Sequence, residues 1–288
     1  MRAVYRHELS TYFTSLSGYV FTAFLLLFAG IFTMAINIRS AVASFEYVMS
    51  NMSFTFLVIV PVLTMRSIAE EKHQHTDNLL YSLPLSMTDV ALGKYAAMLT
   101  VFLIPVMVIG SYPLILSAYG EVNLPAAFSA VLGFFFLGAA LIAIGMFISS
   151  VTESQAVAAG FCFVILLVNY FLTALSGYVS SSAPATLAAL GILSIVLTLL
   201  VRIMTKNGFA ALLALVLSLV LLMLSYSFFP DSFVGLLPTV LENLSLFSRY
   251  NSMTEGILDI RTLVFFVSVS GVFLFLTVQS MEKRRWSE

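Results

Sequence analysis

The sequence predicts an all-α membrane protein: a polytopic bundle of helices without a soluble domain. Three observations lead there. The 288 residues are 60% hydrophobic and only 9% charged, with a mean hydropathy of +1.04, whereas a soluble domain carries about a quarter charged residues. Apolar runs of roughly twenty residues recur from end to end, each long enough to cross a hydrocarbon core of about 30 Å. Lysine and arginine fall in alternate breaks between these runs. A transmembrane barrel would instead show short segments of alternating polarity.

The runs give eight expected spans: 17–38, 52–69, 95–118, 125–149, 155–177, 184–203, 208–229 and 262–281. With the N-terminus inside, the cytoplasmic breaks hold ten of the thirteen basic residues, leaving only Arg39, Arg249 and Arg261 outside. Acids divide eight to six, as expected where lysine and arginine set orientation. Both termini are therefore expected in the cytoplasm of a multi-pass protein. The pair 184–203 and 208–229, joined by "TKNG", must cross twice or not at all to keep the C-terminal "EKRRW" inside. Two crossings are expected, with Arg202 and Lys206 snorkelling to one interface.

The stretch "MRAVYRHELSTYF" precedes a run too long for the apolar part of a cleavable signal, and no small-residue cleavage pattern follows. Tyr5, Leu9, Tyr12 and Phe13 recur at helical spacing while Arg2, Arg6, Ser10 and Thr14 fall on another face. Residues 1–16 are thus expected to form an amphipathic helix at the membrane interface. Near the other end, 230–261 lies outside yet is rich in Phe, Val and Leu. Short helices at or dipping into the outer interface fit it better than a solvated loop.

The most unusual stretch is "EEKHQHTDNLLYSLPLSMTDVALGK", Glu70 to Lys94. Thr76 or Asp77 caps a short helix carrying Leu79, Leu80 and Leu83 as an apolar knob. Pro84 stops it, and Ser86 with Asp89 three residues on begins the next helix as a capping box. Lys94 sits where that helix meets the membrane. Spacing alone leaves two uses for the knob: packing on this chain's own helix ends, or fitting a socket on a cytoplasmic partner. His73 and His75 lack a third ligand, so a titrating loop is expected and no metal site.

Chemistry is otherwise sparse. No phosphate-binding loop occurs, so this chain is not expected to hydrolyse ATP, and no metalloprotease or serine-hydrolase motif is present. The spans carry no Asp, Glu, Lys or Arg near their midplanes, which disfavours an ion-coupled carrier. Thr33, Asn37, Asn169, Ser176, Ser218, Ser225 and Gln279 are the polar residues in or beside the spans, expected mainly as interhelical hydrogen bonds. Gly133, Gly138 and Gly145 suggest close helix packing. No internal repeat is evident, against inverted-repeat transporters.

Three stretches together resemble the permease subunits of type-2 ATP-binding-cassette exporters, specifically the NosY-like and GldF-like branch. They are "RHELSTYFTSLSGYVFTAFLLLFAG" (6–30), the polar stretch led by "VPVLTMRSIAEEK", and "FSRYNSMTEGILDIRTLVFFVSVSGVFLFLTVQSMEKRRW" (247–286). The resemblance covers roughly a third of the chain, in order. It implies that Glu70, Glu71, Thr76, Leu79, Leu80, Pro84, Leu85, Ser86, Gly93 and Lys94 belong to a coupling segment (70–94) docking on a separate ATPase. His75 stands where the family usually has glycine. Glu255, Gly256, Leu258 and Asp259 match the family's outer segment and imply a gate within 230–261. Members commonly show six spans, so 184–229 would be an added pair.

The resemblance implies the membrane subunit of a bacterial exporter in the cytoplasmic membrane, a single permease domain over 1–288. Two permeases would work with two cytoplasmic ATPases, which hold the ATP and magnesium. Membrane lipid surrounds the complex and nucleic acid plays no part. The cargo is unknown; apolar interiors suit a hydrophobic, lipid-like or peptide one. The alternative is a non-transporting subunit that uses the same docking to move an extracytoplasmic or membrane partner.

Overall fold

The computed structural model describes residues 1–74, 76, 86–205, 208–228, 230–256 and 258–287. All regular structure among them is helical. Chain order gives α1 (Arg2–Thr14), α2 (Leu16–Thr33, prolonged by a π-helical stretch Met34–Arg39), α3 (Glu46–Met52), α4 (Phe56–Thr64), α5 (Ala69–His73) and α6 (Met87–Gly110). Then come α7 (Tyr112–Ser117), α8 (Leu124–Val151), α9 (Gln155–Tyr178), α10 (Ala183–Thr205) and α11 (Gly208–Phe228). The chain closes with α12 (Leu236–Leu244), α13 (Leu246–Thr254) and α14 (Ile260–Ser287).

Six helical runs among the described residues are long and apolar enough to span a membrane: Leu16–Arg39, Glu46–His73, Met87–Ser117, Leu124–Val151, Gln155–Tyr178 and Ile260–Arg284. The chain is a multi-pass membrane protein. Helices α10 and α11 form where the added pair of spans, 184–203 and 208–229, was expected; their apolar parts among the described residues are the shorter Ala183–Ile192 and Leu215–Phe228. The second span starts earlier than its apolar run suggested, because Phe45, Val48 and Met49 are fully buried and pull the helix start down to Glu46.

The chain forms two compact units, one of Met1–Tyr170 with Leu246–Glu288, the other of Phe171–Ser245. In the first, α8 is the central helix, with 78% of its apolar stretch buried against 17% for the first span. Its glycines let neighbours approach. A Cβ on Gly138 would sit 2.5 Å from the Phe102 ring of α6, and one on Gly145 would strike Thr64 of α4. Around Gly138 the Phe56 and Phe134 rings stack at 4.4 Å, and Phe102 stacks on Phe135 at 5.7 Å. Such aromatic contacts add about 0.5–1.5 kcal/mol per pair beyond the area they bury.

In the second unit α10 pairs with α11. Below them a 3-10 turn (Pro230–Phe233) packs Phe233 edge-on against Tyr226 at 5.5 Å. The Gly235 amide donates to the Ser181 carbonyl at 2.8 Å, and Gly235 takes φ +74° to start α12, a turn that only glycine makes without strain. The expected short helices of 230–261 are thus α12 and α13 with this turn before them.

Candidate functional site

At one end of the first unit, three elements far apart in sequence meet on a buried lysine. Lys94, in the second turn of α6, is 2% exposed. Its Nζ donates to Glu8 Oε1 of α1 and to Glu71 Oε1 of α5, each at 2.6 Å. A buried ammonium costs several kcal/mol unless paired, and here two carboxylates pair it. Glu8 and Glu71 remain 15% and 26% exposed, so the cluster sits at the rim of the bundle rather than in its middle.

Helix α1 reaches this position because its apolar face is covered by the chain itself. Tyr5 shares a hydrogen bond with Thr100 of α6 at 3.1 Å, and the Tyr12 hydroxyl donates to the Leu63 carbonyl at 3.3 Å. Burial, then the nearby Glu8 and Glu70 carboxylates, hold the Tyr12 phenol well above its ordinary pKa, so it stays a donor. Leu9 and Phe13 pack partly buried against the core, while Arg2, Arg6, Ser10 and Thr14 are exposed. The stripe read as facing lipid is thus largely spent on α4 and α6. Gly93 permits this: a Cβ there would lie 3.0 Å from Val4 Cβ and 3.3 Å from the Met1 carbonyl oxygen.

The chain at the start of α5 is tied to α8. Ser149 Oγ accepts from the Ile68 and Ala69 amides at 3.2 and 3.0 Å, satisfying donors at the start of α5. Lys72, also buried, donates to the Ser150 carbonyl at the C-terminal end of α8, where a cation complements the helix dipole. Ser280 of α14 reaches the same carbonyl at 3.2 Å, and Arg284 pairs with Glu153 at 2.9 Å. Glu70 faces outward, 3.8 Å from Arg66 and 3.4 Å from Gln74. Thr76 donates back to the Glu71 carbonyl at 3.3 Å. Ser86 caps α6, its Oγ accepting from the Asp89 amide at 3.1 Å and donating to the Asp89 carboxylate at 3.0 Å. Leu79, Leu80, Leu83 and Pro84, with His75, lie outside the described residues.

The opposite end of α8 carries the residues expected at a gate. Helix α13 lies on it, with Tyr250 and Met253 fully buried against Gly133 and the Tyr250 hydroxyl donating to the Ala130 carbonyl at 3.3 Å. Asn169 Oδ1 accepts from the Leu246 amide at 3.0 Å and fixes the start of α13. Gly256 takes φ +87° with Ala126 3.1 Å from where a Cβ would be, so glycine is required both by conformation and by space. Asp259 caps α14: its oxygens accept from Thr262 Oγ1 at 2.9 Å and the Arg261 amide at 3.0 Å, which hold its carboxyl below the usual range. Leu258 is exposed. Glu255 lines a cleft of about 560 Å³ together with Glu46 and Asn251.

The polar residues of the spans are mostly spent locally. Ser218 and Ser225 donate to carbonyls within their own helix, and Asn37 donates to Val42 at 2.6 Å. Ser176 bonds Glu242 at 3.2 Å within the second unit. Glu8, Lys72, Ser149 and Glu46 were missed by the sequence reading. For Glu8 a signal existed, since it is the lone acid before Glu46 on a basic N-terminal helix. Among the described residues no group of three His, Cys, Asp or Glu is placed to hold a metal.

No curated protein matches the chain at a significant level. Residues 37–190, just over half of the chain, match the family described as ABC-2 family transporter protein. That match covers the span pair framing the polar segment and the central helix α8. The chain belongs to the ABC-2 family of transporter membrane proteins, as a permease subunit.

Proposed function

We infer that this permease carries movement from a cytoplasmic ATPase to its spans through segment 70–94, with α1 as an elbow that moves with it. The observation that carries the reading is the buried Lys94, held by Glu8 of α1 and Glu71 of α5. A push on segment 70–94 reaches α5 and α6 at its two ends. The ion cluster passes it to α1, and the Ser149 and Lys72 contacts pass it to α8, the axis of the bundle. Membership of the ABC-2 family implies an ABC ATPase as partner. Within the NosY-like and GldF-like branch, two ATPases and a second permease copy complete the exporter. Its ATP and magnesium sit on the ATPases.

In this reading both termini are cytoplasmic in a bacterial cell membrane, α10 and α11 add a seventh and eighth crossing, and 230–261 forms the outer gate. The cargo is hydrophobic, lipid-like or peptide in kind.

The test is co-purification. The chain is co-expressed with the ATPase encoded beside its gene and compared with the Leu79→Glu, Leu80→Glu double variant. Recovery of ATPase with the native chain and its loss from the variant is the expected result. Recovery with both would place docking elsewhere, and recovery with neither would remove the ATPase coupling altogether.

A further inference from the structure

Helix α1 keeps its cations on the side turned away from the bundle. With about 100° between successive residues, Tyr5, Glu8, Leu9 and Tyr12 gather on one side of it. Arg2, Arg6, His7, Ser10, Thr11 and Thr14 fall on the other. The first group is the one spent on α4 and α6, and the second is exposed. No exposed residue of α1 is acidic, because Glu8, the one acid of the helix, is turned inward onto Lys94.

Nothing among the described residues offsets this placement of charge. Neither Arg2 nor Arg6 forms an ion pair with a described residue. They stand four residues apart on a helix, so their like charges repel. Both lie in the first two turns, where the helix dipole opposes cations, and no acid occupies the first turn. An external anion would relieve both penalties.

The surroundings indicate which anion. At Ser15 the chain turns from α1 into the first span, Leu16–Arg39, whose opening residues Leu16, Tyr19 and Val20 are each more than half exposed. Tyr19 meets Phe13 of α1 edge-on at 5.9 Å. In a membrane protein, exposed apolar side chains at the start of a span mark where lipid begins, and a tyrosine among them marks the head-group level. The cationic face of α1 runs on from that level, and the fork of an arginine matches phosphate with two hydrogen bonds. A protein partner fits less well, since segment 70–94 continues from α5 and α6, on the side of α1 opposite to this face.

We propose that the exposed face of α1 binds the head groups of anionic phospholipids, with Arg2 and Arg6 as the phosphate partners. The proposal rests on the membrane class of the chain and not on the ATPase reading or the direction of transport.

The full chain, purified in detergent, is titrated with dihexanoyl-phosphatidylglycerol, with dihexanoyl-phosphatidylcholine and with inorganic phosphate, reading the unfolding temperature. A saturable rise with the glycerol lipid is expected, weakened by added salt and not matched by the other two. Arg2→Gln and Arg6→Gln should each weaken the apparent affinity about fivefold, and the double variant roughly twentyfold. Arg6→Lys should keep most of the response. Arg39→Gln, which removes an exposed cation at the far end of the first span, should leave it unchanged. No saturable rise, an equal rise with phosphatidylcholine or inorganic phosphate, or an undiminished rise in the double variant would each overturn the proposal. An undiminished rise with loss of a co-expressed ATPase from the double variant would assign the face to that protein instead. If the double variant is not monodisperse, Ser10→Glu, which adds an acid to the same face, decides it by the same criterion.

Discussion

Lys94 is where a single residue decides most. Its ammonium is nearly inaccessible, and its two carboxylate partners, each at 2.6 Å, are only partly so. The partners can therefore recover some solvation when the lysine is lost, but the lysine cannot when both partners are lost. Breaking a buried pair by removing one member costs about 3–5 kcal/mol when the survivor stays buried. Glu8→Gln leaves Glu71 in place and should cost about 1–2 kcal/mol, and Glu71→Gln a similar amount. The double variant strands the charge and should cost more than the two added, by roughly 1 kcal/mol or more. Denaturant unfolding in detergent measures all three, and strict additivity would show that the two glutamates do not share the lysine.

At the scale of elements, α1 lies on α6 because one position between them is glycine. Gly93 leaves Val4 and the Met1 carbonyl no more than 3.3 Å from where a Cβ would stand. A larger side chain must push α1 away, and overpacking of this kind costs about 1–3 kcal/mol. Gly93→Leu should therefore destabilise the fold by that amount and loosen α1, read as faster protease cleavage in the first fourteen residues. Gly30→Ala is the internal comparison, since nothing lies within 4 Å of its added carbon. Replacing a mid-helix glycine there should be neutral or stabilising by up to about 1 kcal/mol. Equal effects of the two changes would mean that the close approach of α1 is not what holds it.

For the whole molecule, the number of bilayer crossings turns on α10 and α11. Among the described residues six helical runs qualify by length and composition, and α10 and α11 follow a basic-inside logic if both cross. The loop between them discriminates, because it lies inside with two crossings and outside with none. With Cys162→Ser removing the one native cysteine, a thiol introduced by Asn207→Cys should react with an impermeant maleimide only after cells are permeabilised. Reaction in intact cells would mean that neither helix crosses and would return the chain to six spans.

The sequence alone determined the class, the existence of the spans and several local devices. Apolar runs and their basic flanks are one-dimensional signals, and the Ser86 cap, the short helices of 230–261 and the packing glycines of α8 follow from residue type and near neighbours. What only the tertiary structure decided are the pairings across helices. Glu8 and Lys94 stand 86 residues apart, and their meeting depends on how far α1 is rotated and how closely Gly93 lets it approach. Lys72 finds the end of α8 for a similar reason, and Glu46 and Glu255, far apart in sequence, come to line one cleft. Hydropathy fixes how deep a helix sits, because transfer energy depends on each residue by itself. Rotation and approach are set by the neighbours against which it packs, and these appear only in three dimensions.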